Sequence, residues 1–194
     1  MNIESPLRED DVRKLRLGQT VYLSGVVHTA RDEAHARMLE LLRRGDPLPF
    51  DLKGGAIYHC GPIMERYGDR WRAIAAGPTT SARMDGMQAE VIERTGVRAI
   101  IGKGGMSREV LEAMARHGCV YLAYTGGAAV LAARSVTEVV REHWSDLGMA
   151  EAVWELRMRD FGPLVVAMDC HGGSLYQQVE VKVNNERERM LLGL

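Results

Sequence analysis

An apolar run, a glycine-rich turn and an amphipathic run follow one another repeatedly in this chain, and that order leaves few folds open. Val97-Arg98-Ala99-Ile100-Ile101 leads into Gly102-Lys103-Gly104-Gly105. Ser107 then opens a stretch in which Val110, Leu111 and Met114 recur at helical spacing. Cys119 to Tyr124 leads into Thr125-Gly126-Gly127 and a segment predicted as a helix from about Ala128 to Trp144. Apolar runs this short read as strands buried on both faces. With helices carrying the chain back between them, they imply a parallel βαβ arrangement. Ligand loops in such sheets lie at the carboxyl ends of the strands.

The same order appears earlier. Thr20 to Val27 is rich in β-branched and aromatic residues and reads as a strand. A helix follows, with Thr29 as candidate cap, Asp32 in the place of a capping-box acid, and Ala34, Met38, Leu41 and Leu42 as its apolar face. Gly45 ends it. Pro49 to Ala76 is expected to be a β-rich section, with strands at Ala56 to Cys60 and Trp71 to Ala76. After Gly77-Pro78, the hydroxyls of Thr79, Thr80 and Ser81, any of which could cap a helix N-terminus, precede a helix with apolar Met84, Met87, Val91 and Ile92, closed by Gly96. Two further strands are expected near Val153–Met158 and Leu164–Asp169, divided by Phe161-Gly162-Pro163. Asn184 to Leu194 reads as a short helix or a frayed end. Residues 1–194 are expected to form one α/β domain.

Composition narrows the function. The net charge of -1 gives no global basic footprint for nucleic acid or an anionic membrane, so any anion binding must come from local charge. No run is long and apolar enough to span a bilayer, and Met1 to Gln19 lacks the pattern of a targeting peptide. Three well-separated cysteines, Cys60, Cys119 and Cys170, argue against a disulfide framework, and a cytoplasmic location is expected. Gly102-Lys103-Gly104-Gly105 is not a phosphate-binding P-loop, the dinucleotide fingerprint is absent, and no serine lies in a nucleophile elbow. His59-Cys60, Cys170-His171 and His117 near Cys119 lack zinc-ligand spacing.

What remains are three cations at strand-to-helix loops. Arg31, Arg83 and Lys103 could together hold a small dianion such as a dicarboxylate, beside helix N-termini that favour negative charge. If they do, their loops must meet at one edge of the sheet, with Thr79 among them. Each also has a plainer reading, as a solvated side chain near a capped helix.

Five stretches carry a family resemblance: Thr29 to His35 (TARDEAH), Gly77 to Asp85 (GPTTSARMD), Gly102 to Met106 (GKGGM), Gly126 to Ala129 (GGAA) and Asp169 to Tyr176 (DCHGGSLY). From about Leu17 to Val183 the chain resembles the β subunit, equivalent to the C-terminal domain, of the iron–sulfur class I fumarate hydratases and L-tartrate dehydratases. The resemblance implies a swivelling β/β/α domain that works with an α subunit, in an α2β2 assembly, and is inactive alone. It implies a [4Fe–4S] cluster bound by that α subunit, with no metal on this chain. The implied activity is that of a carbon–oxygen hydro-lyase, the reversible hydration of fumarate to malate, with L(+)-tartrate dehydration as the alternative. Carried over by motif, Thr79 is the implied base, and Arg31, Arg83 and Lys103 the implied substrate binders. A reading from another class is a non-catalytic anion-binding or regulatory domain.

Overall fold

The structure, a computed structural model, describes residues 1–192. In chain order it contains β1 (Asn2–Ser5), α1 (Glu9–Val12), β2 (Thr20–Thr29), α2 (Asp32–Arg44), β3 (Ala56–Tyr58), β4 (Ile63–Tyr67) and β5 (Arg70–Ala75). There follow α3 (Asp85–Thr95), β6 (Ala99–Gly102), α4 (Arg108–His117), β7 (Val120–Ala123), α5 (Ala129–Arg134), β8 (Val136–His143), β9 (Val153–Met168) and α6 (Leu175–Leu192). A turn of 3₁₀ helix at Ser81–Met84 leads into α3, and another at Gly126–Ala128 leads into α5.

Strands β2, β3, β6 and β7 lie side by side and parallel. β9 runs antiparallel to both outer members, β2 and β7, so the pairing closes on itself. β9 can do this because it is 16 residues long: its first part pairs with β8, its last with β7, and β2 follows its other edge. β1 lies parallel to β2, and β4 and β5 form a separate hairpin.

The short apolar runs alternate between two cores, as period-2 strand geometry requires. Ala56 and Tyr58, Ala99 and Ile101, and Val120 and Leu122 join one cluster with Leu23, Trp154 and Phe161. Ile57, Ile100 and Tyr121 point the other way, into a cluster with Met38, Val91, Ile92, Val110 and Met114 from α2, α3 and α4. Both faces are therefore covered, which explains why these strands show no polar alternation. Helices α2, α3 and α4 each end at a left-handed glycine, Gly45, Gly96 and Gly118.

Several expectations are corrected. The helix expected from Ala128 to Trp144 ends at Arg134, and Val136–His143 is strand β8. Its β-branched run Val136-Thr137-Glu138-Val139-Val140 suits a half-buried strand beside β9 better than a helix. The two strands expected on either side of Phe161-Gly162-Pro163 are one strand. Register shifts against β2 absorb extra residues of β9 there, as β-bulges do, so the Gly-Pro pair bends the strand without ending it. Thr29 does not cap α2: its hydroxyl accepts the Trp154 N–H at 3.0 Å, and Arg31 holds the cap position. Leu39 takes the core place expected of Leu41 and Leu42, which are half-buried. The tail is helical from Leu175, well before Asn184, and its final two positions lie outside the described residues. Strands β1 and β4 were not foreseen. No described helix is long and apolar enough to cross a membrane.

Candidate active site

The four parallel strands bring their carboxyl ends to one edge. Arg31 follows β2, His59-Cys60-Gly61 follow β3, Lys103 follows β6 and Thr125-Gly126-Gly127 follow β7. The hydroxyl loop Gly77 to Ser81 enters this edge from β5. Its path is fixed by hydrogen bonds at both ends. The Tyr58 hydroxyl donates to Ala76 O at 2.6 Å, and Ala76 N donates to Ala129 O at 2.9 Å. Thr79 N donates to His59 O at 2.6 Å, Ser81 N donates to Lys103 O at 2.9 Å, and Lys103 N approaches Thr79 O at 3.4 Å. Thr79 and Lys103 are thus bound to each other through their backbones.

The arginines reach the same edge and are each held by a carboxylate. The Arg31 guanidinium lies against Gly61, where a β-carbon would stand 2.6 Å from Nη1. Its Nε faces Glu151 Oε1 at 3.2 Å. Arg83 Nε donates to Asp32 Oδ1 at 3.1 Å, and Nη2 lies 2.8 Å from Oδ2. Asp32 follows Arg31 directly, so this ion pair ties the start of α2 to the hydroxyl loop. Arg83 spends one edge of its guanidinium on Asp32 and keeps Nη1 for another acceptor. Lys103 is exposed, and a β-carbon at Gly126 would stand 3.5 Å from its Nζ. The structure therefore places Thr79, Arg31, Arg83 and Lys103 on adjoining loops. Thr79 is half-buried, and half of the Arg83 side chain is exposed. The cleft of about 360 Å³ between β5, α5 and β8 is lined by none of the four.

Beneath the loops runs a buried polar chain that sequence reasoning missed. His35 Nδ1 is 2.8 Å from Arg31 O, and His35 Nε2 is 3.0 Å from the Gln88 amide. The same amide position lies 2.8 Å from His59 Nε2, and His59 Nδ1 is 2.8 Å from Ser81 Oγ. Ser81 Oγ is 2.8 Å from the Tyr121 hydroxyl, which meets Tyr176 and the Gly105 backbone. His35, His59, Ser81 and Gln88 have no exposed surface. Burial holds the His59 imidazole down to about 3 and pushes His35 down as well, so both are neutral. Burial pushes the Tyr121 hydroxyl up. Ser81, read as a possible cap, has turned its hydroxyl into this chain, and neither Thr80 nor Ser81 caps the helix through a side chain. The signal available in the sequence was a polar residue, Gln88, inside the apolar stripe of Met84, Val91 and Ile92, and likewise His35 between Ala34 and Met38.

The chain's own thiols do not fit an iron–sulfur cluster. Cys60, Cys119 and Cys170 are free and buried, on separate segments, and burial pushes each thiol up, away from the thiolate a cluster needs. Among the described residues, no three His, Cys, Asp or Glu side chains are grouped to hold a metal ion.

Residues 1–179 match the profile of the family described as Fumarase C-terminus. The chain belongs to that family. Among curated relatives, it is 50% identical over 189 residues to a putative L(+)-tartrate dehydratase subunit beta of Methanocaldococcus jannaschii, covering 97% of this chain and 96% of the relative. It is 42% identical over 173 residues to the L(+)-tartrate dehydratase subunit beta of Escherichia coli strain K12, covering 89% and 85%. A putative class I fumarate hydratase of Geobacillus stearothermophilus is 39% identical over 181 residues, which are 93% of this chain and 34% of that longer protein. This member of the fumarase C-terminus family thus matches two kinds of relative: separate β subunits over most of their length, and one part of a longer chain.

Proposed function

We propose that this chain is the β subunit of a hydro-lyase of the class I fumarase and tartrate dehydratase type, a swivelling β/β/α domain acting on a four-carbon dicarboxylate. The observation that carries the reading is the meeting of three cations and Thr79 on adjoining loops of a fumarase C-terminus family member. A dicarboxylate needs about this number of charge-assisted donors. Arg31 and Arg83 bind its carboxylates with the guanidinium edges left over from Glu151 and Asp32. Lys103 adds a flexible point charge. Thr79 removes the proton beside the carboxylate, its alkoxide favoured by the neighbouring cations.

Lys103 and half of Arg83 are exposed at these loops, and the carboxylates there, Asp32 and Glu151, are held in ion pairs with Arg83 and Arg31. The second half of the site comes from an α subunit that carries the [4Fe–4S] cluster these thiols do not fit, in an α2β2 complex working in the cytoplasm. Supplied there, the cluster acts as a Lewis acid. Fumarate hydration is the first reading of the substrate. L(+)-tartrate dehydration is the second, favoured by the names of the relatives at 50% and 42% identity. The names "subunit beta" also weigh against a stand-alone regulatory domain.

The test is reconstitution. The chain, co-expressed with its cognate α subunit and handled without oxygen, is assayed on fumarate and on L(+)-tartrate. Turnover of one and not the other assigns the substrate, and the chain alone turns over neither. Failure of the two chains to associate at micromolar concentration, or absence of both activities with the cluster intact, overturns the proposal.

A further inference from the structure

The buried chain beneath the loops has a direction, and one atom sets it. A carbonyl oxygen can only accept, so the contact with Arg31 O places a hydrogen on His35 Nδ1. His35 is neutral, so its Nε2 is bare and needs a donor. With Gln88 Oε1 in the facing position, two acceptors would meet, and Gln88 Nε2 is left buried without a partner. The oxygen and nitrogen of an amide have nearly the same shape, and their assignment follows from the hydrogen-bond network. Reversing the amide removes the clash of acceptors and leaves one buried carbonyl oxygen, in place of an NH2 with two unused hydrogens, as the unpartnered atom. The NH2 group then has two hydrogens for two imidazole nitrogens, at 3.0 and 2.8 Å. His59 Nε2 becomes an acceptor, so neutral His59 donates from Nδ1 to Ser81 Oγ, and Ser81 donates to the Tyr121 hydroxyl.

We propose that Gln88 is the positioning residue of this site: its amide donates to both His35 and His59, which orients every hydrogen bond from Arg31 to Tyr121 and locks the Arg31, Thr79 and Lys103 loops to one another. His59 is the hinge of the arrangement. Its backbone oxygen holds Thr79 N and its ring holds Ser81 Oγ, so the loop is gripped on both sides of Thr80. The next links tie Ser81 to the Lys103 loop, through Lys103 O and through Tyr121 beside Gly105. Gly102 leaves the space the chain needs, because a β-carbon there would fall on Ser81 Oγ. The direction of the chain stands independently of the enzymatic reading. Its catalytic consequence rests on that reading.

The experiment has two arms. In the first, nitrogen-15 NMR of the histidine rings in the purified full chain reads the tautomers directly. His35 and His59 are expected to be neutral with the proton on Nδ1. A proton on Nε2 of either ring overturns the assignment. In the second, Gln88 is replaced in the chain and in the reconstituted complex. A carboxylate only accepts, so Gln88→Glu draws a proton onto Nε2 of His35, while His35 Nδ1–H keeps donating to Arg31 O. The charged groups acting on that ring are Asp32 and the new carboxylate, and both favour the imidazolium. The Gln88→Glu complex is expected to gain a pH inflection in kcat that the wild type lacks. Gln88→Met is expected to lower kcat by roughly tenfold to a hundredfold without that inflection, the usual effect of loosening a positioned group. A Gln88→Met enzyme with unchanged kcat, or Gln88→Glu with a wild-type pH profile, overturns the positioning role. Should the wild-type complex act on neither fumarate nor L(+)-tartrate, the enzymatic reading fails, while the NMR result still decides the hydrogen-bond direction.

Discussion

Replacing Gly102 and Gly86 by alanine should move stability in opposite directions, and the structure says by how much. Neither has a positive φ, so alanine strains neither backbone and only the surroundings matter. At Gly102 a β-carbon would overlap Ser81 Oγ and stand 3.1 Å from the Tyr121 hydroxyl and 3.3 Å from His59 Nδ1. Forcing a methyl group into a filled core costs about 1–3 kcal/mol. Pushing the Ser81 hydroxyl aside also leaves the buried His59 N–H without an acceptor, another ~1–3 kcal/mol. The sum is roughly 2–6 kcal/mol, which for a domain of this size lowers the melting temperature by roughly 4–24 °C. Gly86 lies in α3 with nothing within 4 Å of a β-carbon. Alanine there should stabilise the chain by about 0.5–1 kcal/mol, through helix propensity alone. Urea unfolding followed by far-ultraviolet circular dichroism measures both variants. A Gly102→Ala chain as stable as the wild type would refute the packing described around Ser81.

Acid should weaken the chain early. His28, His35 and His59 are held below their ordinary value of 6.5 by burial, so the unfolded chain takes up protons that the folded chain refuses. Their contribution is complete above pH 6.5 and drains away toward pH 3, where His59 titrates in the fold, by about 1.4 kcal/mol per pH unit for each fully linked histidine. Unfolding free energies measured across that window should fall steadily; a flat profile would contradict the burial. In the reconstituted complex, Arg83→Met should cost roughly 2–5 kcal/mol of transition-state stabilisation, read as the fall in kcat/KM. Asp32→Asn leaves Arg83 charged but untethered, and KM should rise roughly two- to fivefold, the scale of a half-exposed ion pair, with kcat less affected. Thr79→Ala should act on kcat more than on KM, because a base matters only as the proton moves; unchanged turnover would hand that role to another group.

Strands β2, β3, β6 and β7 were legible because their apolar runs are short, β-branched and bounded by glycine. β8 was not. Ala128 to Ala133 is alanine-rich and helical, and the helix expected there extends past Ser135 into a stretch whose strand state depends on pairing with β9. β9 was cut in two because Gly162-Pro163 ends strands locally, whereas here the long pairing with β2 outweighs it. At the site, the charged residues could be picked out by their places after strands. Their tethers could not: Asp32 meets Arg83, and Glu151 meets Arg31, only once distant segments are folded together. Ser81 could not be told from its neighbours for the same reason. Three adjacent hydroxyls look alike in sequence, and only His59 and Tyr121 distinguish the one that faces inward.

The closing role of β9 also sets an order of events. Thr20 must wait for Val165 before β2 gains its antiparallel neighbour, and β7 waits for the same strand. As the chain emerges from a ribosome, β2, β3, β6 and β7 can assemble, yet both outer strands keep open edges until Val153–Met168 arrives. Such long-range closure is slow, and open edges invite pairing with other chains. A nascent or truncated chain that stops before Val153 is therefore a sheet with two adhesive borders. Aggregation during synthesis should depend on how soon this single strand is made available.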